Sequence, residues 1–530
     1  MKLTGLTITD AQAAPRPATV AFDTRIRDIS NRQSPIANRQ SPTGVILPGL
    51  IDSHTHPMEA GLQKVFADLS GADSVEDVQA RLRDRRNAAL EHGMMLGFGL
   101  EPDRLCEHRY PDRGELDGVI SEFPVFVYRV DGHSAVTNTA GLQLLRDKEP
   151  GTRVQGSGPR PQNPDPHLQG METDCNGRPT GVLRGDAYEK ASRVFKHRLS
   201  PVTVCEALRL AGLEAAAAGV TTVGALVGVD DTTDDEWRVL LDGLAASAVN
   251  AVPYLQTWDL EVPRRFGLRQ AGGCLLIDGS FGSRTAALGQ DYSDAPGNNG
   301  ASYVTDEKLL SFLRGAADAG LQTAVHAIGD RAVEQVVRSH ERLAEGRGTK
   351  DDGRMTYSNP FRHRLEHAEL LNDSLISRIA ELKLVLGVQP AFEREWGGPQ
   401  RMYSQRLGER WRSTNPYRSL LESGVRLAGG SDYPITPIAP VAGIRATLER
   451  PNPSEIVKGE EALAMFTSAA AFALNRERSC GSIEPGKDAD ITVLTSDPRM
   501  TADCRLVATF RAGVCTYKNE SLADYLKLED

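Results

Sequence analysis

The sequence predicts an α/β protein built around a parallel sheet, and two observations lead to this prediction. Short apolar runs rich in β-branched residues recur from Val45 onward, and amphipathic helical patterns lie between many of them. The runs are almost continuously apolar, which is typical of parallel strands that helices cover on both faces. Because this alternation extends over about 400 residues, it favours a parallel α/β structure.

Eight of the apolar runs end in a polar residue that a turn follows. These predicted strands are VILPGLIDSHTH, VFVYRVDGH, VTTVGAL, CLLIDGS, LQTAVHAIGD, HRLEHAE, LVLGVQP and VRLAGGSD. Two further runs, MMLGFGLE and AVPYLQT, are also strand candidates, so the choice of eight is not unique. The predicted helices include VTVCEALRLAGLEAAAAG, which ends at Gly219, TDEKLLSFLRGAADAG, which has Thr305 as its N-cap and ends at Gly320, and NDSLISRIAELK.

Two segments differ from this alternation. Residues 150–180 are rich in Gly and Pro, which predicts a long loop with a hairpin, a candidate lid over a site. Residues 480–519 contain short strand patterns, and the N-terminal run KLTGLTITD alternates like a strand as well. We therefore expect residues 1–45 and 476–530 to form one small β domain. Residues 46–475 then form the α/β domain, with the loop inserted.

The composition restricts the partners and the cellular location. The net charge is −10 and the sequence pI is about 5.7, so we expect neither nucleic acid nor an anionic membrane surface as a partner. The seven cysteines have irregular spacing and no CxxC pair, which indicates reduced thiols in a cytoplasmic protein. We expect no membrane span, which needs roughly 20 apolar residues, and no signal peptide.

The first candidate for a functional site is the pair His54 and His56 at the end of the first predicted strand. Residues two apart in a strand point to the same face. Both imidazoles can therefore bind one metal ion. An isolated HxH sequence is weak evidence, because two surface or core histidines produce the same pattern.

Three later residues stand at equivalent positions of the repeating unit. His326, His367 and Asp432 each lie at the end of an apolar strand, before a turn. Imidazole and carboxylate groups are ordinary ligands of zinc-like divalent ions. Taken singly, each histidine is equally well a hydrogen-bonded core residue, and Asp432 a helix N-cap. Together with the HxH pair they indicate a metal site.

The motifs that carry these residues resemble the amidohydrolase superfamily, in the branch with YtcJ-like proteins and N-substituted formamide deformylases. The resemblance extends from about Val45 to about Tyr517 and rests on LPGLIDSHTHP, DGHSAVTNTA, IDGSFGSRTAAL, AVHAIGDRAV, HRLEHAEL, GGSDYPITP and TSAAAFAL…GSIEPGKDADITVL. It implies a (β/α)₈ TIM barrel with a small β-sandwich domain formed by both chain ends. It also implies hydrolysis of an amide-type C–N bond in a small molecule by metal-activated water.

The resemblance also implies the role of each metal ligand. His54 and His56 bind the first metal, His326 and His367 bind the second, and Asp432 binds the first metal and acts on the water nucleophile. The expected cofactor is Zn²⁺, as one or two ions. We expect Asp432 to take the proton from water and deliver it to the leaving amine.

Cys274 is a departure from the family pattern. Four residues before the aspartate of the DGS motif, the family usually has a carboxylated lysine that bridges two metals, and this chain has a cysteine. A thiolate can itself bridge two zinc ions, as in relatives similar to D-aminoacylases. The site can instead hold a single metal, or Cys274 can be an inert buried thiol. We favour ligation, because the position coincides with the bridge.

Four further residues are candidates for substrate contact. The family motif places His133 close to the substrate, where it helps to stabilise the oxyanion, although a hydrogen bond to Asp131 explains it equally well. Arg284 can pair with an anionic group or form a surface salt bridge. Asp278 lies in a long family motif and can serve only to order loops. Trp396 lines the pocket or packs.

The motifs leave alternatives open for the reaction. The same site can serve an ester, lactone, organophosphate or cyclic-amide hydrolase. The missing lysine can also indicate a catalytically weakened member that binds a ligand. The sequence does not reveal the assembly, for which a homodimer is one candidate because homo-oligomers are common.

Overall fold

A computed structural model describes residues 1–10, 13–30, 44–147, 170–345, 349–351, 354–356, 359–525 and 528–529. The strands in chain order are β1 (Lys2–Asp10), β2 (Ala13–Phe22), β3 (Ile26–Ser30), β4 (Val45–Pro48), β5 (Leu50–Thr55), β6 (Ala67–Asp68), β7 (Met95–Leu100), β8 (Val125–Arg129), β9 (Ser134–Thr137), β10 (Met171–Thr173), β11 (Pro179–Arg184), β12 (Val220–Val227), β13 (Asn250–Leu255), β14 (Gln270–Leu276), β15 (Gln322–Ala327), β16 (Thr349–Asp351), β17 (Arg354–Thr356), β18 (Arg364–His367), β19 (Val385–Val388), β20 (Arg426–Gly429), β21 (Ile491–Leu494), β22 (Leu506–Arg511), β23 (Val514–Lys518) and β24 (Leu528–Glu529).

The α-helices in chain order are α1 (Pro57–Val65), α2 (Val75–Asp84), α3 (Arg86–His92), α4 (Arg113–Asp117), α5 (Thr139–Asp147), α6 (Gly185–Lys196), α7 (Pro201–Ala217), α8 (Asp234–Ala245), α9 (Glu261–Arg265), α10 (Asp306–Asp318), α11 (Asp330–Glu345), α12 (Asp373–Glu381), α13 (Pro390–Trp396), α14 (Met402–Leu407), α15 (Tyr417–Glu422), α16 (Pro440–Leu448), α17 (Gly459–Met465) and α18 (Ser468–Ala473). None of the helices in the described ranges combines the length and the apolar character that a bilayer crossing needs.

The chain divides into two compact units. Unit 1 consists of Met1–Pro57, Leu208–Asp230 and Leu240–Asp530, and unit 2 consists of Met58–Ala207 and Asp231–Val239. The α/β fold class predicted from the alternation of strands and helices is confirmed in unit 1.

Unit 1 contains eight parallel strands in two hydrogen-bonded sheets. The first sheet has the order β13-β12-β5 and the second β14-β15-β18-β19-β20. An isolated parallel bridge joins Thr55, at the end of β5, to Tyr433, shortly after β20. Apolar side chains of the second of these sheets pack with those of α10, α11 and α12 in one hydrophobic core. Helix α10 begins as predicted, because the Thr305 side chain accepts a hydrogen bond from the Lys308 N–H.

Most of the predicted core strands are confirmed, but one was assigned to the wrong sheet. The run VFVYR forms β8, which lies in unit 2 between β7 and β9. AVPYLQT, an additional candidate in the sequence, supplies β13, the remaining parallel strand of unit 1. An apolar, β-branched run identifies a buried strand but carries no information about its partner strands.

A third sheet of unit 1 is built from both ends of the chain. Its order is β23-β22-β21-β4-β1-β2-β3, with β24 beside β1. In this sheet β21 pairs antiparallel with β4, and β24 pairs antiparallel with β1, while the predicted small β domain stays a prediction. The sheet includes β4, beyond the predicted boundary at residue 45. Its core contains Phe22 and Phe510, whose ring centroids lie 5.6 Å apart.

Unit 2 contains a mixed sheet with the order β10-β11-β9-β8-β7-β6. Strands β6, β7 and β8 are parallel, and β9 and the strands after it pair antiparallel. Strands β10 and β11 form an antiparallel pair that begins within the predicted loop and ends at Arg184, beyond the predicted boundary at residue 180. Residues 150–169 of that predicted loop lie outside the described residues.

Candidate metal centre

Six side chains of unit 1 converge at the carboxyl ends of its parallel strands or within them. They form three overlapping groups of candidate metal ligands, and within each group the ligand atoms lie within 4.8 Å of one another. The groups are His54–His56–Cys274, Cys274–His326–His367 and His54–His367–Asp432. All six residues predicted as metal ligands are therefore brought together.

Asp432 lies between the two histidines of the HxH pair. Its Oδ1 is 3.3 Å from the Nε2 atom of His54 and 3.2 Å from the Nε2 atom of His56. The two imidazole centroids are 5.5 Å apart. The registers of β5 and β12 shift between Asp52 and Thr55, so a bulge in β5 sets the direction of His54.

Cys274 lies on the other side of the cluster, and a bulge places it there. Its Sγ is 3.5 Å from His326 Nδ1 and 3.8 Å from His367 Nε2. The register of β14 against β15 shifts directly before it, where Gly272 and Gly273 have φ values of +85° and +101°. A Cβ at Gly272 would lie 2.5 Å from the Ala324 carbonyl oxygen, so only glycine permits this backbone path.

In three of the four histidines, the ring nitrogen that faces away from the cluster contacts a hydrogen-bond acceptor. His54 Nδ1 lies 2.6 Å from Glu366 Oε2, His367 Nδ1 lies 2.8 Å from Gln389 Oε1, and His326 Nε2 lies 3.1 Å from the Gly279 carbonyl oxygen. Since each partner atom accepts, the held nitrogen carries the proton. The lone pair of the opposite nitrogen then points into the cluster, as in metal-ligating histidines.

Two of the six residues adopt the left-handed backbone region that favours glycine. The φ of His367 is +70° and that of Asp432 is +56°. His367 is the last residue of β18, and its left-handed backbone ends the extended strand at this point. Strain of this kind costs of order 1–3 kcal/mol per residue and is concentrated at functional sites.

The thiol, carboxyl and imidazole groups of the cluster shift one another's pKa values. Burial raises the pKa of the Cys274 thiol, but His326 and the neighbouring imidazoles outweigh burial and hold it well below its usual range. The pKa of Asp432 is lowered in the same way, against burial, by His54 and His56. Burial lowers the pKa of His56, but Asp432 and Cys274 raise it to about 9. A cation can replace the protons on the imidazoles.

The donor atoms fit the divalent metal that the resemblance implies. Within the described residues, the buried atoms His54 Nε2 and Asp432 Oδ1 make no hydrogen bond of acceptable geometry. An uncompensated buried polar atom is costly unless something else binds it. Imidazole, thiolate and carboxylate are the ligands that zinc-like ions prefer.

The other predicted site residues have different surroundings. Asp278 is fully buried and accepts hydrogen bonds from the backbone N–H groups of Ala287, Ile328 and Gly329. It is also 3.5 Å from His326 Nε2, so its contacts order the loops around a candidate ligand. Contact of Asp278 with substrate stays a prediction.

Arg284, Trp396 and His133 are also placed. Arg284 forms a two-point ion pair with Asp294. Trp396 packs edge-on against Phe392 with ring centroids 4.9 Å apart. His133 belongs to unit 2, where its backbone N–H donates to Asp131 Oδ1. The substrate contacts expected for these three residues stay predictions.

Sequence reasoning missed the groups that support the ligands. Arg364 and Glu366 are fully buried, and Glu366 contacts His54. A signal was available, because two charged residues with a period of two, Arg364 and Glu366, stand directly before a candidate ligand in the short strand RLEH. The pair Gly272–Gly273 before Cys274 was a second signal, since paired glycines within a strand indicate a bulge.

A comparison with known families identifies the class of the protein. The profile described as "Amidohydrolase family" matches residues 44–517, so this chain belongs to the amidohydrolase family. The resemblance of the sequence motifs to that family is thereby confirmed.

Individual proteins show the same relationship. YtcJ, a protein of Bacillus subtilis (strain 168) named as an amidohydrolase, is 29% identical over 486 residues, which cover 86% of this chain and 84% of YtcJ. The N-substituted formamide deformylase of Arthrobacter pascens is 24% identical over 543 residues, with coverage of 95% and 93%. An uncharacterized metal-dependent hydrolase of Pyrococcus furiosus has a crystal structure that superposes with a TM-score of 0.69 at 26% identity, over 94% of this chain and 99% of that one.

Proposed function

We propose that this protein is a metal-dependent hydrolase that cleaves an amide-type C–N bond, with an N-substituted formamide or a related amide as substrate. The observation that carries the proposal is the cluster of His54, His56, Cys274, His326, His367 and Asp432. Membership of the amidohydrolase family supports it. The name of the Arthrobacter pascens relative supports the choice of amide.

The proposed metal is zinc. His54, His56 and Asp432 are the ligands of one ion, and His326 and His367 are the ligands of a second. Cys274 would be a ligand of both ions, because its Sγ lies within 4.8 Å of ligand atoms of His54 and His56 and also of His326 and His367. The lowered pKa of Cys274 supports a thiolate at this position.

The reaction needs an activated water, a stabilised oxyanion and a proton for the leaving nitrogen. When bound, a divalent ion polarises the carbonyl group and makes water a better nucleophile at neutral pH. Asp432 is the proposed proton carrier, since its Oδ1 lies within 3.3 Å of the Nε2 atoms of His54 and His56, and these imidazoles hold the pKa of its carboxyl well below the usual range. It takes a proton from water and delivers it to the amine. His133 is the proposed donor to the oxyanion.

The proposal extends to the fold. The eight parallel strands of unit 1 are proposed to close into a (β/α)₈ barrel, with the chain-end sheet as a small β-sandwich. The parallel bridge between Thr55 and Tyr433 supports closure between β5 and the end of β20. The position of His54, His326, His367 and Asp432 at carboxyl strand ends agrees with the location of active sites in such barrels.

A substrate panel with purified, zinc-loaded protein tests the proposal. The panel contains N-substituted formamides and other amides beside esters, lactones, cyclic amides and organophosphates of similar size. We expect release of amine from the first group, and loss of this activity after removal of the metal by a chelator. Faster turnover of the ester or lactone set would contradict the amide assignment. Absence of bound metal would contradict the proposal as a whole.

A further inference from the structure

A chain of buried polar side chains runs through the interior of unit 1 and ends at His54. Each member is at most 2% exposed, and the members come from four different strands. In order they are Gln322, Tyr254, Arg364, Glu366 and His54. The interior of a parallel sheet is usually apolar, so a continuous column of buried polar and charged side chains needs a reason.

The hydrogen bonds of the column are consistent from end to end. The Gln322 amide donates to the Ala473 carbonyl oxygen and accepts from the Tyr254 hydroxyl at 2.8 Å. That hydroxyl accepts from Arg364 Nη1 at 3.1 Å. Arg364 then donates through Nη2 to Glu366 Oε2 at 2.9 Å, while its Nε lies 2.8 Å from Oε1.

Glu366 contacts His54 from the side of the ring that faces away from Asp432. Its Oε2 is 2.6 Å from His54 Nδ1, whereas Asp432 faces Nε2. The neighbouring strand leaves room for the carboxylate, since Glu366 pairs with Gly387 and a Cβ there would overlap the Glu366 carboxylate. The fold therefore accommodates a charge at this point.

A contribution to stability does not by itself explain why this ion pair is buried. Burying a guanidinium and a carboxylate carries a desolvation cost that their attraction often does not recover. A well-packed apolar pair of similar size is therefore often at least as stabilising. Arg364 donates through Nη1 to the Tyr254 hydroxyl and through Nη2 to Glu366 Oε2 and the Ser53 carbonyl oxygen, whereas its Nε makes only the ion-pair contact with Glu366 Oε1. The ion pair is buried, and the Glu366 Oε2 that accepts from Arg364 Nη2 is also the oxygen that contacts His54 Nδ1.

We propose that Glu366, oriented by Arg364, is a positioning residue that holds His54 in the tautomer with the proton on Nδ1 and thereby aims the Nε2 lone pair at the metal. This inference rests on the proposed function, because it requires a metal at His54. The carboxylate also makes the imidazole a stronger donor, as the partners of metal-ligating histidines do.

The experiment compares Zn²⁺ affinity of the full-length protein variants by competition with a chromophoric chelator at neutral pH. For Glu366→Gln we expect a loss of about 10–100-fold in affinity. An amide can still accept from Nδ1, but it has no charge and presents an NH₂ group to Arg364. The matched control is Glu455→Gln, another buried carboxylate of unit 1, which accepts from the N–H and hydroxyl of Ser419. We expect this control to bind zinc like the wild type.

A second variant separates positioning from folding. Arg364→Met combined with Glu366→Leu replaces the ion pair by apolar groups and is expected to fold at least as stably as the wild type. We expect it to lose zinc affinity to the same extent as Glu366→Gln. The visible spectrum of the Co²⁺-loaded protein should change in both variants and stay unchanged in Glu455→Gln.

The outcomes distinguish this inference from the proposed function. A wild-type protein that binds no Zn²⁺ would contradict the proposed function itself. A wild-type protein that binds Zn²⁺, together with a Glu366→Gln variant of equal affinity and identical Co²⁺ spectrum, would overturn the role of Glu366 and leave the proposed function standing. Recovered affinity in the apolar double variant would overturn it as well.

Discussion

His54 and Asp432 are 378 positions apart in the chain, and they face each other where β5 and β20 end. The backbone N–H of Asp432 donates to the His54 carbonyl oxygen at 2.9 Å, and their side chains meet at 3.3 Å through Nε2 and Oδ1. Asp52 fixes the same junction, since its Oδ1 accepts from the N–H groups of His54 and Ser431. The backbone thus holds these two groups in place before any ligand binds, as a preorganised site requires.

The first prediction concerns Asp432 as proton carrier. Asp432→Asn keeps the size of the side chain and an oxygen for the metal, but it removes the ionisable group. We expect kcat for the amide substrate to fall by about 10²–10⁴-fold. Metal content, measured on the same preparation, should stay close to that of the wild type. An Asp432→Asn enzyme with wild-type turnover would exclude Asp432 from proton transfer.

The second prediction concerns Cys274 as a sulfur ligand. X-ray absorption of the zinc-loaded wild type should show a Zn–S distance of about 2.3 Å. In Cys274→Ser this scatterer should disappear, and metal content should fall towards a single ion per chain. Cys480, a buried thiol whose pKa is raised by burial to about 11, provides the control variant Cys480→Ser, in which the Zn–S signal persists. A wild-type spectrum without sulfur would contradict the assignment.

The third prediction concerns the bulge that places Cys274. Gly272→Ala forces a side chain into the left-handed region and against the Ala324 carbonyl oxygen. Gly267→Ala has the same backbone problem at φ +69° but no atom within 4 Å of the new Cβ. We expect about 1–2 kcal/mol of destabilisation for Gly267→Ala and more for Gly272→Ala, with loss of bound metal only in the latter. Equal effects in a urea titration would contradict this explanation.

The fourth prediction concerns acid stability. His340 is fully buried, and burial together with the nearby His363 holds its pKa well below the ordinary value. The folded protein therefore excludes a proton that the unfolded chain takes up below about pH 6.5. The stability that depends on neutral His340 is complete above that pH and decreases as the pH falls, by at most about 1.4 kcal/mol per pH unit.

Thermal unfolding between about pH 7 and pH 5 measures this contribution. We expect the decline in melting temperature to be shallower in His340→Leu than in the wild type. His197 provides a control of opposite sign, because Glu236 and Asp231 raise its pKa against the effect of burial. His197→Gln should therefore make the acid decline steeper. Parallel curves for His340→Leu and the wild type would contradict the prediction.

Much of the fold was predictable because strand and helix patterns are local. Runs such as VTTVGAL and LVLGVQP became β12 and β19, and the N-cap at Thr305 is where the sequence places it. The sheet that each strand joins depends on contacts distant in the chain. For that reason VFVYR was expected in the core of parallel strands and lies in unit 2 instead.

The candidate site was also predictable where the pattern is local and not where contacts are distant in the chain. The ligand types were readable, because His54, His326 and Asp432 stand at strand ends in recognisable motifs. The residues that hold these ligands in place were not readable. The role of Glu366, for example, becomes visible only in the fold, where β18 and β5 bring its carboxylate within 2.6 Å of His54. The large separation of Glu366 and His54 along the chain hides this contact, although the charged residues beside His367 mark the position.

The central claim is that this cluster binds the catalytic metal, and a crystal structure of the zinc-loaded protein, with anomalous data on both sides of the zinc edge, tests it most directly. We predict an anomalous peak bonded to His54 Nε2 and His56, with Cys274 Sγ about 2.3 Å away. A protein that hydrolyses amides but shows no peak among these six side chains would contradict the claim.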